Sequence, residues 1–268
     1  MKSAIIQYTT LIILCVMMLV PHEVVAQEEE RDSLEVSSGR NRWWQDYSDH
    51  TTEFRATQLI APGILVTVGA LGIGENAPLR KINLAVRNGM TKLSNGQRYR
   101  FDDYMQYVPV ASYVIMCATP LKAKHTVAER MTVAAVTYLS MTAMTNTLKY
   151  TICEQRPGST ERNAFPSGHT ATAFAGAELI RSEYGWGIGS AAYVVASGVA
   201  FMRLYNNRHW LNDVLAGAGI GILSARIGYW LLPLWRKMFR LEWDKSLVAT
   251  PAYYPEQRAL GLSCAMCF

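Results

Sequence analysis

Charge is what this 268-residue sequence has little of: Asp, Glu, Lys and Arg make up 18% of it, against about 25% in soluble domains. That shortage argues against an ordinary soluble enzyme. Five cysteines are too few for a small disulfide scaffold, and 19 glycines and 10 prolines are too few for a collagen-like or low-complexity chain. The net charge is only +5, and no basic run is dense enough to bind nucleic acid. Carboxylate clusters for Mg²⁺ and His/Cys sets for Zn²⁺ are also missing from the sequence pattern. What is present is apolar. Half of the residues are hydrophobic, yet mean hydropathy is only +0.05, so apolar segments are diluted by sizeable polar ones. The length suits one domain, at most two.

Lys2, the apolar stretch Leu11 to Val20, and Val24-Val25-Ala26 before Gln27 have the three-part layout of a secretory signal, so residues 1–26 are expected to be a signal peptide. A polar segment, 27–56, follows, with Trp43-Trp44 suited to the headgroup level of a membrane. The body, 57–240, holds five apolar stretches near the ~20 residues that cross a bilayer. They are Tyr107 to Leu121, Met131 to Ile152, Pro166 to Ile180, Trp186 to Leu204 and Trp210 to Trp235. A sixth, Gln58 to Gly74, is shorter and broken by Pro62 and glycines, and either spans or lies shallow or re-entrant. Small residues along these stretches let helix backbones approach closely. The expected fold is an all-α, polytopic membrane helical bundle of five to six spans. A polar tail, 241–268, permits a small hairpin, and its Cys264-x-x-Cys267 pair has no second pair or nearby histidine to make a metal site.

Ionisable residues at the ends of apolar spans are costly unless paired or working. Three groups stand out. Lys149, six residues and then Arg156-Pro157 place two cations at a helix mouth; taken alone, these are snorkelling cations. Pro166-Ser167-Gly168-His169 opens the next apolar run, with Ser167 as cap, Gly168 allowing close approach, and first-turn amides facing an anion. An ordinary capped helix explains the Ser and Gly but does not need the His. Arg203, His209 and Asp213 form the third group. His209 and Asp213 are four apart, so the carboxylate can hold one imidazole nitrogen and leave the other as a nucleophile. Alone, they are a surface ion pair. Together the groups fall in order on one face of the bundle, where three cations, a helix N-terminus and two histidines make a site for a tetrahedral oxyanion.

These residues resemble the type 2 phosphatidic acid phosphatase superfamily, whose pattern is Lys-x6-Arg-Pro, Pro-Ser-Gly-His and Ser-Arg-x5-His-x3-Asp. The match runs from Lys149 to Asp213, with Met202 where the family has Ser before Arg203. The resemblance implies that His209 attacks phosphorus, that Asp213 orients it, and that His169 protonates the leaving oxygen and then activates water. Lys149, Arg156 and Arg203, supported by Ser167 and the Gly168 amide, would neutralise the phosphate oxygens. It implies no metal and no cofactor, three fixed cations standing in for a divalent ion. The absent Ser bears on substrate affinity more than on chemistry. Vanadate-dependent haloperoxidases share such a pocket, but they are larger soluble proteins; a catalytically silent membrane interaction protein is the other alternative.

A site at the membrane surface suits a lipid phosphate: lipid A, undecaprenyl diphosphate, phosphatidylglycerophosphate or phosphatidic acid. No nucleic-acid or protein partner is inferred. The run Phe101-Asp102-Asp103-Tyr104 and the secretory start are similar to envelope members that act on lipid A. Between Glu75 and Asp103, six basic residues face three acidic ones, enough to hold a charged headgroup if the segment lies on the catalytic face. Sidedness is in conflict. Charged turns at Lys122 to Arg130, at Arg181 and after Trp235 put those ends in the cytoplasm and the site in the periplasm. A cleaved signal followed by a true span at Gln58 to Gly74 would put the site inside. The expectation is an inner-membrane protein with a periplasmic site, the Pro-broken segment not crossing or the N-terminal segment not being processed.

Overall fold

The computed structural model describes residues 51–119, 121–239 and, as strands, 247–254 and 259–266. The signal, Trp43-Trp44 and Cys267 lie outside the described residues, as does the Cys264 side chain. After a 3₁₀ turn, Ala56–Leu59, come helices α1 (Ile60–Ala70), α2 (Arg80–Ser94), α3 (Asp102–Met105), α4 (Val108–Cys117), α5 (Val127–Ile152), α6 (Gly168–Tyr205) and α7 (Leu211–Phe239). Strands β1 (Leu247–Tyr254) and β2 (Ala259–Met266) pair antiparallel, Leu247 facing Met266 and Tyr254 facing Ala259.

Local chemistry accounts for the ends of α5. Thr126 Oγ accepts from the Glu129 N–H at 3.4 Å while Glu129 accepts from the Thr126 N–H at 2.9 Å, so two orphan donors are satisfied reciprocally. At the other end Cys153 turns left-handed (φ 51°) and stops the helix. Helix α6 is interrupted at Gly185, whose φ of 76° and ψ of −174° are open essentially to glycine alone. The chain doubles back there. A Cβ placed on Gly189 would lie 2.7 Å from the Arg181 Cβ, and the Phe174 and Tyr193 rings are 5.8 Å apart. The two expected segments Pro166 to Ile180 and Trp186 to Leu204 are therefore the arms of one helical hairpin.

Helix α7 is the centre of the bundle, packing on α1, α5 and α6. Its glycines make this contact close: a Cβ at Gly217 would sit 2.5 Å from the Ser167 carbonyl oxygen, and one at Gly221 would sit 2.4 Å from that of Ala171. Tyr113, Val133, Phe174, Leu179, Val199, Tyr229 and Leu232 fill the core.

Two of the helices are shorter than the apolar stretches that contain them. Among the described residues, only α7 and α6, the latter counted across both arms of its hairpin, are both long and apolar enough to cross a membrane. Helix α4 covers ten residues, roughly 15 Å, and α1 eleven, roughly 16 Å, where a bilayer core needs about 30 Å. Apolarity extends past these helices into turns, which is why the stretches at Tyr107 to Leu121 and Gln58 to Gly74 read as longer. The charged turns also differ from a plain cationic rim. Arg181 binds Glu178 through both Nε and Nη2, Arg226 shares the same carboxylate, and Arg236 binds Glu129.

Candidate functional site

The eight residues singled out by spacing gather at one end of the bundle, on the mouths of α5, α6 and α7 and the loops between them. Lys149 lies in the last turn of α5 and donates to the Asn163 carbonyl at 2.7 Å. Arg156 lies in the loop from 153 to 167, where its Nη1 pairs with Glu161 at 3.2 Å. That loop is tied down by Ala164 N–H on the Glu154 carbonyl (2.9 Å), Ser167 N–H on the Asp213 carbonyl (2.9 Å) and the Trp210 indole N–H on the Gln155 carbonyl (2.8 Å).

His209 is buried just ahead of α7. Its Nδ1 lies 2.8 Å from the Ala164 carbonyl and 3.4 Å from Asp213 Oδ2. A carbonyl only accepts, so Nδ1 carries the hydrogen and Nε2 keeps its lone pair. The orienting partner expected from the four-residue spacing was Asp213. The closer acceptor is Ala164, because Asp213, at the third position of α7, uses Oδ2 to accept from the Trp210 N–H at 2.7 Å. Arg203, Lys149 and Arg156 all lie close enough to act on His209. Burial, followed by these three charges, drives its imidazole well below the ordinary histidine value.

Arg203, on the last turn of α6, and His169, on its first, meet because the helix reverses at Gly185. A straight helix would hold them about 50 Å apart. Arg203 and Arg156 each keep a buried Nε with no acceptor among the described residues. Buried N–H groups are paired in nearly all cases, so both fit an oxyanion. Ser167 starts α6 as expected but does not cap it: its side chain makes no cap hydrogen bond, and Oγ lies 2.9 Å from Thr170 Oγ1. A Cβ at Gly168 would meet only Thr145 Cγ2, at 3.9 Å, so packing leaves this glycine room rather than requiring it. Met202 is buried beside Arg203.

Sequence reasoning missed several groups. Asp102 accepts from Arg203 Nη1 at 2.8 Å, and Asp103 accepts from His169 Nε2 at 3.1 Å and Arg203 Nη1 at 3.3 Å. The available signal was two adjacent acids after Arg98 and Arg100. Glu154, the one acid between Lys149 and Arg156, is buried and accepts from Asn212 Nδ2 at 3.1 Å. Asn212 in turn accepts from Asn83 of α2 at 2.9 Å; nothing in the sequence marked that pair. Helix α2 also lays Arg80 and Arg87 over the Trp210 ring, 4.3 and 5.4 Å from its centroid. That places the basic segment at the same end as the site.

Residues 130–237 match the PAP2 superfamily. A curated relative named Lipid A 1-phosphatase, from Porphyromonas gingivalis, is 41% identical over 140 residues, which are 50% of this chain and 31% of that protein. The chain thus spans about 31% of that relative's length. Two solved structures are similar. One is Aquifex aeolicus LpxE, at 21% identity and TM-score 0.44, covering 58% of this chain and 98% of that one. The other is a transmembrane PAP2 type phosphatidylglycerolphosphate phosphatase from Bacillus subtilis, at 15% identity and TM-score 0.48, covering 69% and 98%.

Proposed function

We propose, from the match of residues 130–237 to the PAP2 superfamily, that this chain is a membrane lipid-phosphate phosphatase working through a phosphohistidine on His209. The observation that carries this reading is the hydrogen bond from His209 to the Ala164 carbonyl. The His209 Nδ1–H is fixed there, which directs the Nε2 lone pair into a site shared with Lys149, Arg156 and Arg203.

In the first step Nε2 forms a bond to phosphorus as the bond from phosphorus to the lipid oxygen breaks, and His169 gives its proton to that oxygen. In the second, water attacks phosphorus, His169 takes the water proton, and the N–P bond breaks to release phosphate and restore His209. Lys149, Arg156 and Arg203 neutralise the oxygens of the transferring group, with Ser167 and Gly168 at the start of α6 beside them. Asp213 supports the ring as it becomes cationic. No step is routed through a metal.

The membrane reading rests on α6 and α7 and on exposed apolar side chains, among them Ile115 on α4, Leu139 on α5, Val194 on α6 and Leu234 on α7. A site at the helix mouths matches a phosphate held at headgroup depth. The substrate is a lipid phosphomonoester or diphosphate, with a lipid A phosphate the first to test. The proposed setting is a bacterial inner membrane with the site on the periplasmic face.

The test is phosphate release from a panel of lipid phosphates by the purified full chain and by His209→Ala. The variant is expected to lose at least about 10³-fold in kcat, and acid-labile phosphate is expected on wild type alone. Equal release by both proteins would overturn the nucleophile assignment. Release from no lipid phosphate would leave a silent membrane protein.

A further inference from the structure

Behind His209 lie two carboxyl groups whose hydrogen bonds do not add up if both are ionised. Asp213 Oδ2 accepts from the Trp210 N–H, and Glu154 Oε2 accepts from Asn212 Nδ2. The other oxygens, Asp213 Oδ1 and Glu154 Oε1, are both buried and make no hydrogen bond of good geometry among the described residues. The two side chains nevertheless adjoin, because Asn212, which donates to Glu154, immediately precedes Asp213, and each carboxyl acts on the ionisation of the other. Two bare carboxylates at that separation repel and leave both oxygens unsatisfied, whereas a single proton between them satisfies both.

We propose that Glu154 is a positioning residue that shares one proton with Asp213, making a Glu154–Asp213–His209 chain of hydrogen bonds behind the nucleophile. Resting on the phosphohistidine reading above, it specifies how the charge behind His209 is set. The pair carries one negative charge rather than two. While the proton lies between Glu154 and Asp213, Asp213 is too weak a base to remove the Nδ1 hydrogen, and Nε2 stays the unprotonated ring nitrogen. When the N–P bond forms and the ring becomes cationic, the proton moves toward Glu154 along the same hydrogen bond. Negative charge then collects on Asp213, next to the ring, with no proton gained or lost by the site.

The groups facing this pair are charged or polar on every side. Asn212 comes from α7, Arg80 and, through Asn212, Asn83 from α2, the Gly74 N–H from the turn after α1, Lys149 from α5, and His209 and the Trp210 N–H from the loop before α7. Burial raises the Glu154 carboxyl above its ordinary value against the pull of Asp213, Asn212, Arg80 and Gly74. Asn83 and Asn212 hold Glu154 from behind, and Ala164, whose carbonyl fixes His209, donates its own N–H to the Glu154 backbone at 2.9 Å.

The experiment compares full-length wild type, Glu154→Ala, Glu154→Gln and His209→Ala, reading kcat and KM against pH on a lipid phosphate and the infrared carbonyl band of a protonated carboxylic acid. Glu154→Ala is expected to lower kcat at least about tenfold with KM within about twofold. Glu154→Gln, whose amide donates to Asp213 Oδ1 as the carboxylic acid does, is expected to recover kcat to within about threefold of wild type. It should also lose the protonated-acid band and the part of the alkaline limb that comes from loss of the shared proton. If Glu154→Ala does not fold, the band and the Glu154→Gln pH profile carry the decision. Wild type without the band, Glu154→Gln with the wild-type pH profile, or Glu154→Ala with wild-type kcat would each overturn the shared proton. Activity retained by His209→Ala sinks the phosphohistidine reading. Inert His209→Ala beside fully active Glu154→Ala sinks only the Glu154 role.

Discussion

At the scale of single residues, His209 is an imidazole kept neutral among cations. Burial is the largest influence, then Arg203, Lys149 and Arg156, and the hydrogen bond to Ala164 acts in the opposite direction. The folded protein thus refuses a proton that the unfolded chain accepts below a pH of about 6.5. Stability contributed by His209 is present above that value and is lost as pH falls toward the depressed folded value. The same shift keeps Nε2 unprotonated in mild acid, so the acid limb of kcat/KM is expected to lie below about pH 6.5. A pH–rate profile checks this, and an acid limb at or above the free-imidazole value would contradict it. Asp103 makes the complementary case. Burial works against its ionisation, but the hydrogen bond and charge of His169, then Arg100 and Arg203, hold the carboxyl below its usual range. Asp103→Asn keeps an acceptor but removes the charge that favours a protonated His169. Burial already holds His169 below its ordinary value, so the expected result is a kcat about tenfold lower and an alkaline limb moved to still lower pH. An alkaline limb that stays in place would reduce Asp103 to a structural part.

At the scale of elements, the turn at Gly185 brings the first and last turns of α6 to the same place, and with them His169 and Arg203. A Cβ at Gly185 would meet nothing within 4 Å, so the cost of a side chain there lies in the backbone, at φ 76° and ψ −174°. Gly185→Ala is expected to cost about 1–3 kcal/mol and to reduce activity by loosening the hairpin. Gly187→Ala is the matched control: it also meets nothing within 4 Å but has no left-handed backbone, so it should melt at or slightly above the wild-type temperature. Thermal unfolding of the two variants decides the matter, and equal melting temperatures would remove Gly185 from its role. The glycines of α7 act differently. Gly217 presses its backbone against the Ser167 carbonyl, so the position of the Pro166-Ser167-Gly168-His169 corner depends on the absence of a Cβ on the neighbouring helix.

At the scale of the whole molecule, the titratable groups assigned to chemistry occupy one end of the bundle, and the half-buried pairs Glu178–Arg181, Glu178–Arg226 and Glu129–Arg236 lie away from it. Short α1 is consistent with a segment that does not cross, the arrangement under which a periplasmic site and the charged turns agree. Sidedness is testable by replacing the exposed Arg162 with cysteine in a Cys153→Ser background, since Cys153 is itself exposed near the site. A membrane-impermeant maleimide is expected to label it with the inner membrane intact; labelling only after disruption would place the site in the cytoplasm. The sequence by itself determined which residues titrate, the helix mouths that carry Lys149, Arg156, His169 and Asp213, and the all-α character of the bundle. These follow from spacing along single helices, which is local. Only the tertiary structure decided that Arg203 meets His169, that Ala164 rather than Asp213 is the nearer acceptor of His209, and that Asp102, Asp103 and Glu154 join the site. Those contacts depend on where a glycine reverses a helix and on partners 45 to 101 residues away, which no local pattern records.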